Sequence, residues 1–207
     1  MATGEKYMQQ LTEKQAEDFL EKNKFNVVKR TTVSKKSELS KIKIKFPWVM
    51  KISSKKIMHK AKIDGVKTNI TSTEQAEKYF DKLSKIENFE EVIIQKQIIG
   101  EEIILGIKKT PEFGHVIMFG KGGSDVEKNK DVSFRVLPIK ENEIILMIKD
   151  TNFSKKLKKR EIINIKKTIN KIQNLIKHNK NIEELDINPL IITEKQAITV
   201  DARLIFN

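Results

Sequence analysis

The chain has 207 residues, enough for one large domain or for two smaller units that each have their own core. It has no cysteine, which excludes disulfides, thiolate zinc sites and cysteine nucleophiles; it also lacks a run of about 18 apolar residues that could span a membrane and an apolar N-terminal signal. Its net charge is +13, but only four of its 41 basic residues are arginine, the residue that base readout favours. We therefore expect a cytoplasmic protein with no membrane or nucleic-acid partner.

The first half of the sequence predicts two longer helices and one short helix among short strands. The segment Thr12-Glu13-Lys14-Gln15 has the pattern of a capping box at the start of a helix. A short strand is predicted at residues 26–28, and a strand after residue 46 ends at Lys51. The remaining predictions for this half are a short helix from about Ser34, a strand over 66–70, a helix beginning at Ser72 or Thr73, and a strand over 91–95.

The second half predicts more strands and one long helix. Isoleucines at helical spacing give residues 161–177 a continuous apolar stripe. The predicted strands cover residues 103–107, 116–119, 132–138, 189–193 and 197–201, and the glycine-dense segment 120–123 directly follows one of them. This order of elements predicts an α+β fold with two subdomains that meet near residues 93–97.

The segment from Phe46 to Lys67 combines two features of phosphoryl transfer. Lys51 ends a strand, where an ammonium group can hold a phosphate. His59 follows on a polar loop, where a ring nitrogen can accept a phosphoryl group and carry it. Together they favour a phosphoryl-transfer site with a mobile carrier, although a lone loop histidine is more often an ordinary surface residue.

Two oxygen-bearing side chains suggest a magnesium site near the end of the chain. Asn188 and Asp201 lie on the two predicted closing strands, and antiparallel pairing could bring them to the same end of the sheet. Hard oxygen ligands of this kind hold Mg²⁺, whose remaining positions are filled by waters and phosphates. The alternative is that Asn188-Pro189 begins a turn and that Asp201 is a loop carboxylate.

Taken in order, these segments resemble the ATP-grasp β subunit of ADP-forming acyl-CoA synthetases, typified by the archaeal acetyl-CoA synthetase, with succinyl-CoA synthetase β a more distant relative. The matching segments run in family order from about residue 12 onward and include residues 47–52, 59–60, 65–67, 113–120, 122–123, 126–127, 130–135, 184–190 and 201–203. The resemblance implies an ATP-grasp fold with the nucleotide site between two subdomains, residues 9–93 with the phosphohistidine loop and residues 94–207.

The resemblance also implies roles for individual residues. His59 would carry the phosphate and Asp186 would orient or stabilise the phosphohistidine, while Asn188 and Asp201 would bind Mg²⁺. The implied nucleotide-binding residues are Lys51 at the phosphates, the hinge residues Gln95, Lys96 and Gln97 at the adenine, Glu102 at the ribose, and Arg135, which lies with Glu127 in signature segments without a defined role. For Lys51, Glu102 and the hinge residues, the alternative is that they are ordinary surface or strand-end polar residues.

The implied reaction is acyl-CoA + ADP + phosphate ⇌ acid + CoA + ATP, with ATP or ADP and Mg²⁺ bound to this chain. The coenzyme A site would lie on a partner α subunit, in an α2β2 heterotetramer. The chain departs from the family's His-Lys-Ser-Asp-x-Gly-Gly-Val pattern at Lys62 and Asp64. Two alternatives remain from the sequence: another ATP-grasp carboxylate ligase without a phosphohistidine, or a non-catalytic basic module that binds nucleotide or nucleic acid.

Overall fold

The computed structural model describes residues 8–54, 56–57, 60–123 and 131–207. The helices and strands, in chain order, are β1 (Gln9–Gln10), α1 (Glu13–Lys22), β2 (Arg30–Val33), β3 (Trp48–Ser53), β4 (Val66–Ile70), α2 (Thr73–Leu83), β5 (Glu91–Lys96), β6 (Glu101–Thr110), β7 (Gly114–Lys121), β8 (Val132–Val136), α3 (Glu141–Lys149), α4 (Lys159–His178), β9 (Ile182–Ile192), β10 (Ala197–Thr199) and β11 (Ala202–Phe206). Short 3-10 helices cover Lys36–Lys41, Lys60–Ile63 and Phe153–Lys156.

The chain divides into two units. The smaller is Val28–Ile98, and the larger combines the described part of Met1–Val27 with Ile99–Asn207. This division differs from the expected boundary between residues 93 and 94. The difference arises because helix α1 packs beside β11 in the larger unit, and because β5 belongs wholly to the smaller unit.

The smaller unit is an antiparallel sheet in the order β2-β5-β3-β4. Its core combines alternate strand residues, among them Met50, Ile52 and Ile94, with the apolar face of α2. The predicted start of α2 is confirmed, because the Ser72 side chain accepts a hydrogen bond from the backbone N–H of Gln75. The predicted strand at residues 26–28 is reduced to a single bridge between Val27 and Thr199, which lies in the larger unit.

The larger unit is a sheet in the order β1-β11-β9-β6-β7-β8, with β10 paired to β9. Residues of α1, α3 and α4 pack with alternate strand residues such as Leu105, Leu185 and Leu204 in one core. Since successive strand residues point to opposite faces, the residues between them lie on the other face. We call this second face, which carries Glu102, Glu184, Asp186, Asn188 and Arg203, the polar face of the larger sheet.

The C-terminal strands differ from their prediction. The strand predicted to begin at Pro189 begins at Ile182 and continues through the Asn188–Pro189 peptide. A proline removes a ladder donor, but here it falls where the pairing of β6 with β9 shifts register. The predicted strand 197–201 is β10 alone, and Asp201 precedes a separate strand, β11. In the described part of the chain, no helix has the length and apolarity needed to cross a membrane.

Candidate functional site

The polar face gathers the acidic and amide side chains of β9 and its neighbour β11. Asp186 lies opposite Arg203 of β11 on one side and Gly106 of β6 on the other. Two residues along, the backbone N–H of Asn188 donates to the carbonyl oxygen of Asp201 at 3.2 Å. The structure therefore places Asn188 and Asp201 side by side, with Asp186 on the same face.

The glycine segment after β7 connects this group to Glu102. The N–H of Gly122 donates to the backbone carbonyl of Glu102 at 2.8 Å, and the N–H of Gly123 donates to Asn188 Oδ1 at 3.0 Å. Gly123 has a φ of 93°, and a Cβ there would collide with the Glu102 carboxylate, so the position requires glycine. Glu102 and Asn188 are thus held on either side of Gly123. Glu127, in the segment that follows, lies outside the described residues.

Asp186 is the electrostatically exceptional residue of the group. Its Oδ1 is buried and has no hydrogen-bond partner among the described residues. The pKa of Asp186 is raised to about 6: burial is the main cause, Arg203 opposes it, and the Asp201 and Glu184 carboxylates add to it. Arg203 also forms an ion pair with Glu184, so it is shared between two carboxylates. The polar face therefore carries unbalanced negative charge and an acceptor ready for a cation or a donor.

We expect Asp186→Asn to stabilise the metal-free protein above pH 6. The native pKa of Asp186, about 6, lies above the ordinary value of 3.8, so the folded state binds this proton more tightly than the unfolded state does. Stability from Asp186 is present below pH 3.8 and is lost as the pH rises to about 6. The variant should thus gain roughly 2–3 kcal/mol at pH 8 and almost nothing at pH 4. Urea unfolding in a chelator tests this, and an equal effect at both pH values would contradict it.

The oxygen groups of the polar face suit Mg²⁺ better than a metal that needs a closed cage. Among the described residues, no group of three or more His, Cys, Asp or Glu side chains could hold a metal ion. Asn188 and Asp201 instead offer two hard oxygen ligands, side by side on the polar face. Mg²⁺ in nucleotide sites is held in this way, by one or two carboxylates together with waters and phosphates.

Arg135 lies apart from this group. It is opposite Ile117, a core residue, so it lies on the helix-covered face of the larger sheet. Its guanidinium contacts Glu143 at 3.4 Å and Asp150 at 2.5 Å, at the two ends of α3. Arg135 therefore links α3 to β8 through these ion pairs, and it does not lie on the polar face.

In the smaller unit, Lys51 and Gln95 share one face of the sheet. Lys51 lies opposite Ile93, and Gln95 lies opposite Val49, on the side away from the core that contacts α2. Both side chains are buried, at 4% and 1% exposure. Strand β3 continues two residues beyond Lys51, so this lysine lies within the strand and not at the end that the sequence predicted.

The expected hinge residues are tied into the smaller unit by their own backbone. The N–H of Lys96 donates to the Lys29 carbonyl at 3.1 Å, and the N–H of Gln97 donates to the Pro47 carbonyl at 3.0 Å. The Lys96 ammonium donates to the Phe46 carbonyl at 2.6 Å, and the Gln97 side chain accepts from the N–H of Asn69 at 2.6 Å. These two backbone donors are therefore already used, which leaves adenine contacts to other groups of the segment.

The end of the histidine loop is anchored by residues that the sequence did not single out. His59 itself lies outside the described residues. Five residues on, Asp64 has a φ of 52°, a conformation that aspartate tolerates better than most residues. The Tyr79 hydroxyl donates to its carbonyl at 2.5 Å, and Lys82 forms an ion pair with its carboxylate that lowers the pKa of Asp64. These contacts explain how the chain accommodates Asp64 where the family pattern has glycine. In the sequence, the helical spacing of α2 was the only feature that could have pointed to the Tyr79 and Lys82 contacts.

Gly65 holds the end of the loop against β3 through two backbone hydrogen bonds. Its N–H donates to the Lys60 carbonyl at 2.7 Å, and its carbonyl accepts from the N–H of Ile52 at 2.8 Å. A Cβ at this position would lie 2.6 Å from Ile52 Cγ2 and 2.9 Å from the Lys60 carbonyl oxygen. Any larger residue would push the end of the loop away from β3.

The comparisons with known proteins agree with this architecture. Residues 2–206 match the family described as ATP-grasp domain. The chain is 38% identical over 176 residues to the β subunit of ADP-forming acetate–CoA ligase I of Pyrococcus furiosus, covering 78% of this chain and 76% of that subunit. It is 34% identical over 168 residues to ADP-forming acetate–CoA ligase II of Archaeoglobus fulgidus, again over 78% of this chain, but it spans only 25% of that longer protein.

A solved structure gives the same result in three dimensions. Acetyl-coenzyme A synthetase 1 of Ca. Korarchaeum cryptofilum, in complex with coenzyme A and Mg-AMPPCP and with its phosphohistidine segment pointing towards the nucleotide-binding site, superimposes with a TM-score of 0.79. The two share 32% identity over 96% of this chain and 93% of that chain. The predicted ATP-grasp fold is thereby confirmed. The chain belongs to the ATP-grasp family, and over most of its length it is similar to the β subunits of ADP-forming acetate–CoA ligases.

Proposed function

We propose that this chain is the nucleotide-binding β component of an ADP-forming acyl-CoA synthetase. The observation that carries the proposal is the convergence of Asp186, Asn188 and Asp201 on the polar face, next to the glycine pair 122–123. A family match over residues 2–206 supports it, as do the names of the relatives. Ligases such as that of Archaeoglobus fulgidus are about three times as long, because 78% of this chain matches 25% of that protein, so a second component, a coenzyme A-binding α subunit, completes the reaction.

In this proposal the α component converts acyl-CoA and phosphate into an acyl phosphate and coenzyme A. The phosphoryl group then passes through a histidine of that component to His59, and from His59 to ADP, giving ATP. The first step breaks the C–S bond of the thioester and forms a C–O bond to phosphate. Each later step breaks one bond to phosphorus and forms another, and the acid leaves when the acyl phosphate passes its phosphoryl group to the first histidine, so no oxidant or reductant is required. The chemistry is transfer between positioned groups, which enzymes accelerate through alignment and charge neutralisation.

The residues of the chain divide this task. Asn188 and Asp201 would hold Mg²⁺, which offsets the charge of the nucleotide phosphates when it is bound. Lys51 supplies a further positive charge for the phosphates, and Glu102 is an acceptor for the ribose hydroxyls. The unpartnered Oδ1 of Asp186 is an acceptor for the ring N–H of a phosphohistidine, which would fix the ring as carboxylates fix catalytic imidazoles.

The purified chain should bind ATP with Mg²⁺ by itself but should form no acyl-CoA by itself. The reason is that the polar face supplies nucleotide-site groups, while the coenzyme A and acyl sites are assigned to the partner. Calorimetric titration with ATP, with and without Mg²⁺, measures the first part; steady-state synthesis with and without the α component measures the second. Turnover by the single chain would refute the division of labour. Absence of nucleotide binding, combined with salt-sensitive binding to nucleic acid, would refute the whole proposal.

A further inference from the structure

A polar cavity lies within the larger unit, away from the polar face. It is bounded by helix α4, the turn between β9 and β10, and residues 25–26, and its volume is 160 Å³. It also touches Leu190 and Ala197, which belong to the core on the helix-covered side of the sheet. The cavity is therefore on the opposite side of the sheet from Asp186 and Asn188, and none of the proposed nucleotide-site residues lines it.

The charged side chains that line the cavity are all positive. Lys167 and Lys171 come from successive turns of α4, and Lys195 comes from the turn after β9. No acidic side chain contributes to the described lining. Two lysines four residues apart on a helix repel each other, and a third ammonium from another element adds to that repulsion. An anion bound among them would relieve it.

A buried hydroxyl in the lining lacks a partner. Thr199 of β10 is 0% exposed, and its Oγ1 has no hydrogen-bond partner among the described residues. The other buried polar residues at the cavity are satisfied: the Asn164 amide donates to the Thr193 carbonyl at 2.9 Å, and the Thr168 hydroxyl donates to the Asn164 carbonyl at 2.9 Å. A buried polar group without a partner is costly, so Thr199 is an independent indication that a ligand or water belongs here.

The Lys171 ammonium and the backbone of the turn that carries Lys195 are held in place before any ligand binds. The Lys171 ammonium donates to the Lys24 carbonyl at 2.6 Å and lies 5.9 Å from the centre of the Phe25 ring. Two of its three N–H groups remain for a ligand. The turn that carries Lys195 is fixed by Thr193, whose hydroxyl oxygen accepts from the N–H groups of Lys195 and Gln196 at 3.3 and 3.1 Å. Fixed donors lose less conformational freedom on binding.

We propose that this cavity binds a small oxyanion of the phosphate type, at a site separate from the nucleotide site. Three ammonium groups, a hydroxyl and amides are the groups that hold phosphate oxygens. The size limits the ligand: the cavity of 160 Å³ is smaller than the pockets of about 300 Å³ or more that enclose whole organic ligands. The ligand is thus a free phosphate ion or the terminal phosphate of a larger molecule.

The test is calorimetric titration of the full nucleotide-free chain, in chelator and at constant ionic strength, with inorganic phosphate. The variant Lys171→Met/Lys195→Met keeps the apolar stems and removes two charges. It should bind phosphate at least tenfold more weakly than the wild type. Lys177→Met/Lys180→Met removes two charges at exposed positions near the end of α4 and should bind within twofold of the wild type. Equal binding by all three proteins would overturn the proposal.

Two further titrations show where the anion binds and whether it is a free ion. Thr199→Val should weaken phosphate binding while it raises the resistance of the ligand-free protein to urea, because it removes a hydroxyl without a partner; unchanged affinity would overturn the role of Thr199. Glycerol 3-phosphate replaces inorganic phosphate in the second arm: tighter binding of the free ion identifies an enclosed ion, and equal binding identifies a terminal phosphate. Calorimetric titration with Mg²⁺–ATP should give the same affinity for Lys171→Met/Lys195→Met as for the wild type, so failure of the nucleotide-site proposal would be seen separately.

Discussion

His59→Ala should lower the turnover of the complex with the α component by at least about 10³-fold, the scale of loss expected for an obligatory covalent carrier. Binding of Mg²⁺–ATP should stay near normal, since the histidine acts on the transferred phosphoryl group and the other implied nucleotide contacts are unchanged. Partial reactions of the α component, such as acyl phosphate formation from acyl-CoA, should survive. The measurements are steady-state synthesis, calorimetric nucleotide titration and the partial reaction.

The covalent intermediate provides a second measurement of the same residue. Incubation of the complex with ATP labelled at the γ-phosphate should place label on His59, in a bond that is labile in acid and stable in alkali, as a phosphoramidate is. His178→Ala is the matched control, because His178 is exposed at the end of α4 and its ring nitrogen contacts the Asn174 carbonyl of its own helix at 2.8 Å. If His59→Ala kept more than about a tenth of the wild-type turnover, a loss of under ~1.4 kcal/mol, an obligatory carrier would be excluded. That result would favour an ATP-grasp ligase without phosphohistidine.

Local patterns in the sequence predicted local structure well. The capping box of α1 is present with both of its hydrogen bonds, and the isoleucine stripe that predicted residues 161–177 is buried along α4. Both features depend on residues three or four positions apart, so the sequence contains all the necessary information. The ordered family segments also predicted the ATP-grasp fold, through their resemblance to known segments and without any information on strand pairing.

What the sequence could not predict depends on contacts between distant segments. The prediction that Asn188 and Asp201 would be neighbours relied on β9 and β10, but the hydrogen bond between them comes from the entry into β11. Arg135 was grouped with the nucleotide, yet strand register turns it toward α3. A one-residue change in register moves a side chain to the other face of a sheet, and no motif reveals it.

The double substitution Asn188→Ala/Asp201→Ala should abolish the Mg²⁺-dependent part of nucleotide binding. The two residues lie side by side on the polar face, and the described residues contain no group of three or more His, Cys, Asp or Glu side chains that could take over a metal ion. We expect affinity for Mg²⁺–ATP to fall at least 100-fold, about 2.7 kcal/mol. Affinity for metal-free ATP should change little, because Lys51 and the hinge segment remain. Calorimetry at saturating Mg²⁺ and in chelator measures both quantities.

The control must separate metal binding from folding, because Asn188 also accepts the hydrogen bond from Gly123 at 3.0 Å. Asn188→Asp keeps an acceptor for Gly123 and an oxygen for the metal, so it should retain most of the affinity, while Asn188→Ala should not. Glu194→Ala removes an exposed carboxylate whose partner is Lys158 and should leave nucleotide binding unchanged, since exposed ion pairs contribute little to stability. Far-UV circular dichroism and urea unfolding without metal establish that each variant is folded. If the folded double variant binds Mg²⁺–ATP as tightly as the wild type, the metal lies elsewhere, and the convergence of Asp186, Asn188 and Asp201 no longer supports a nucleotide site.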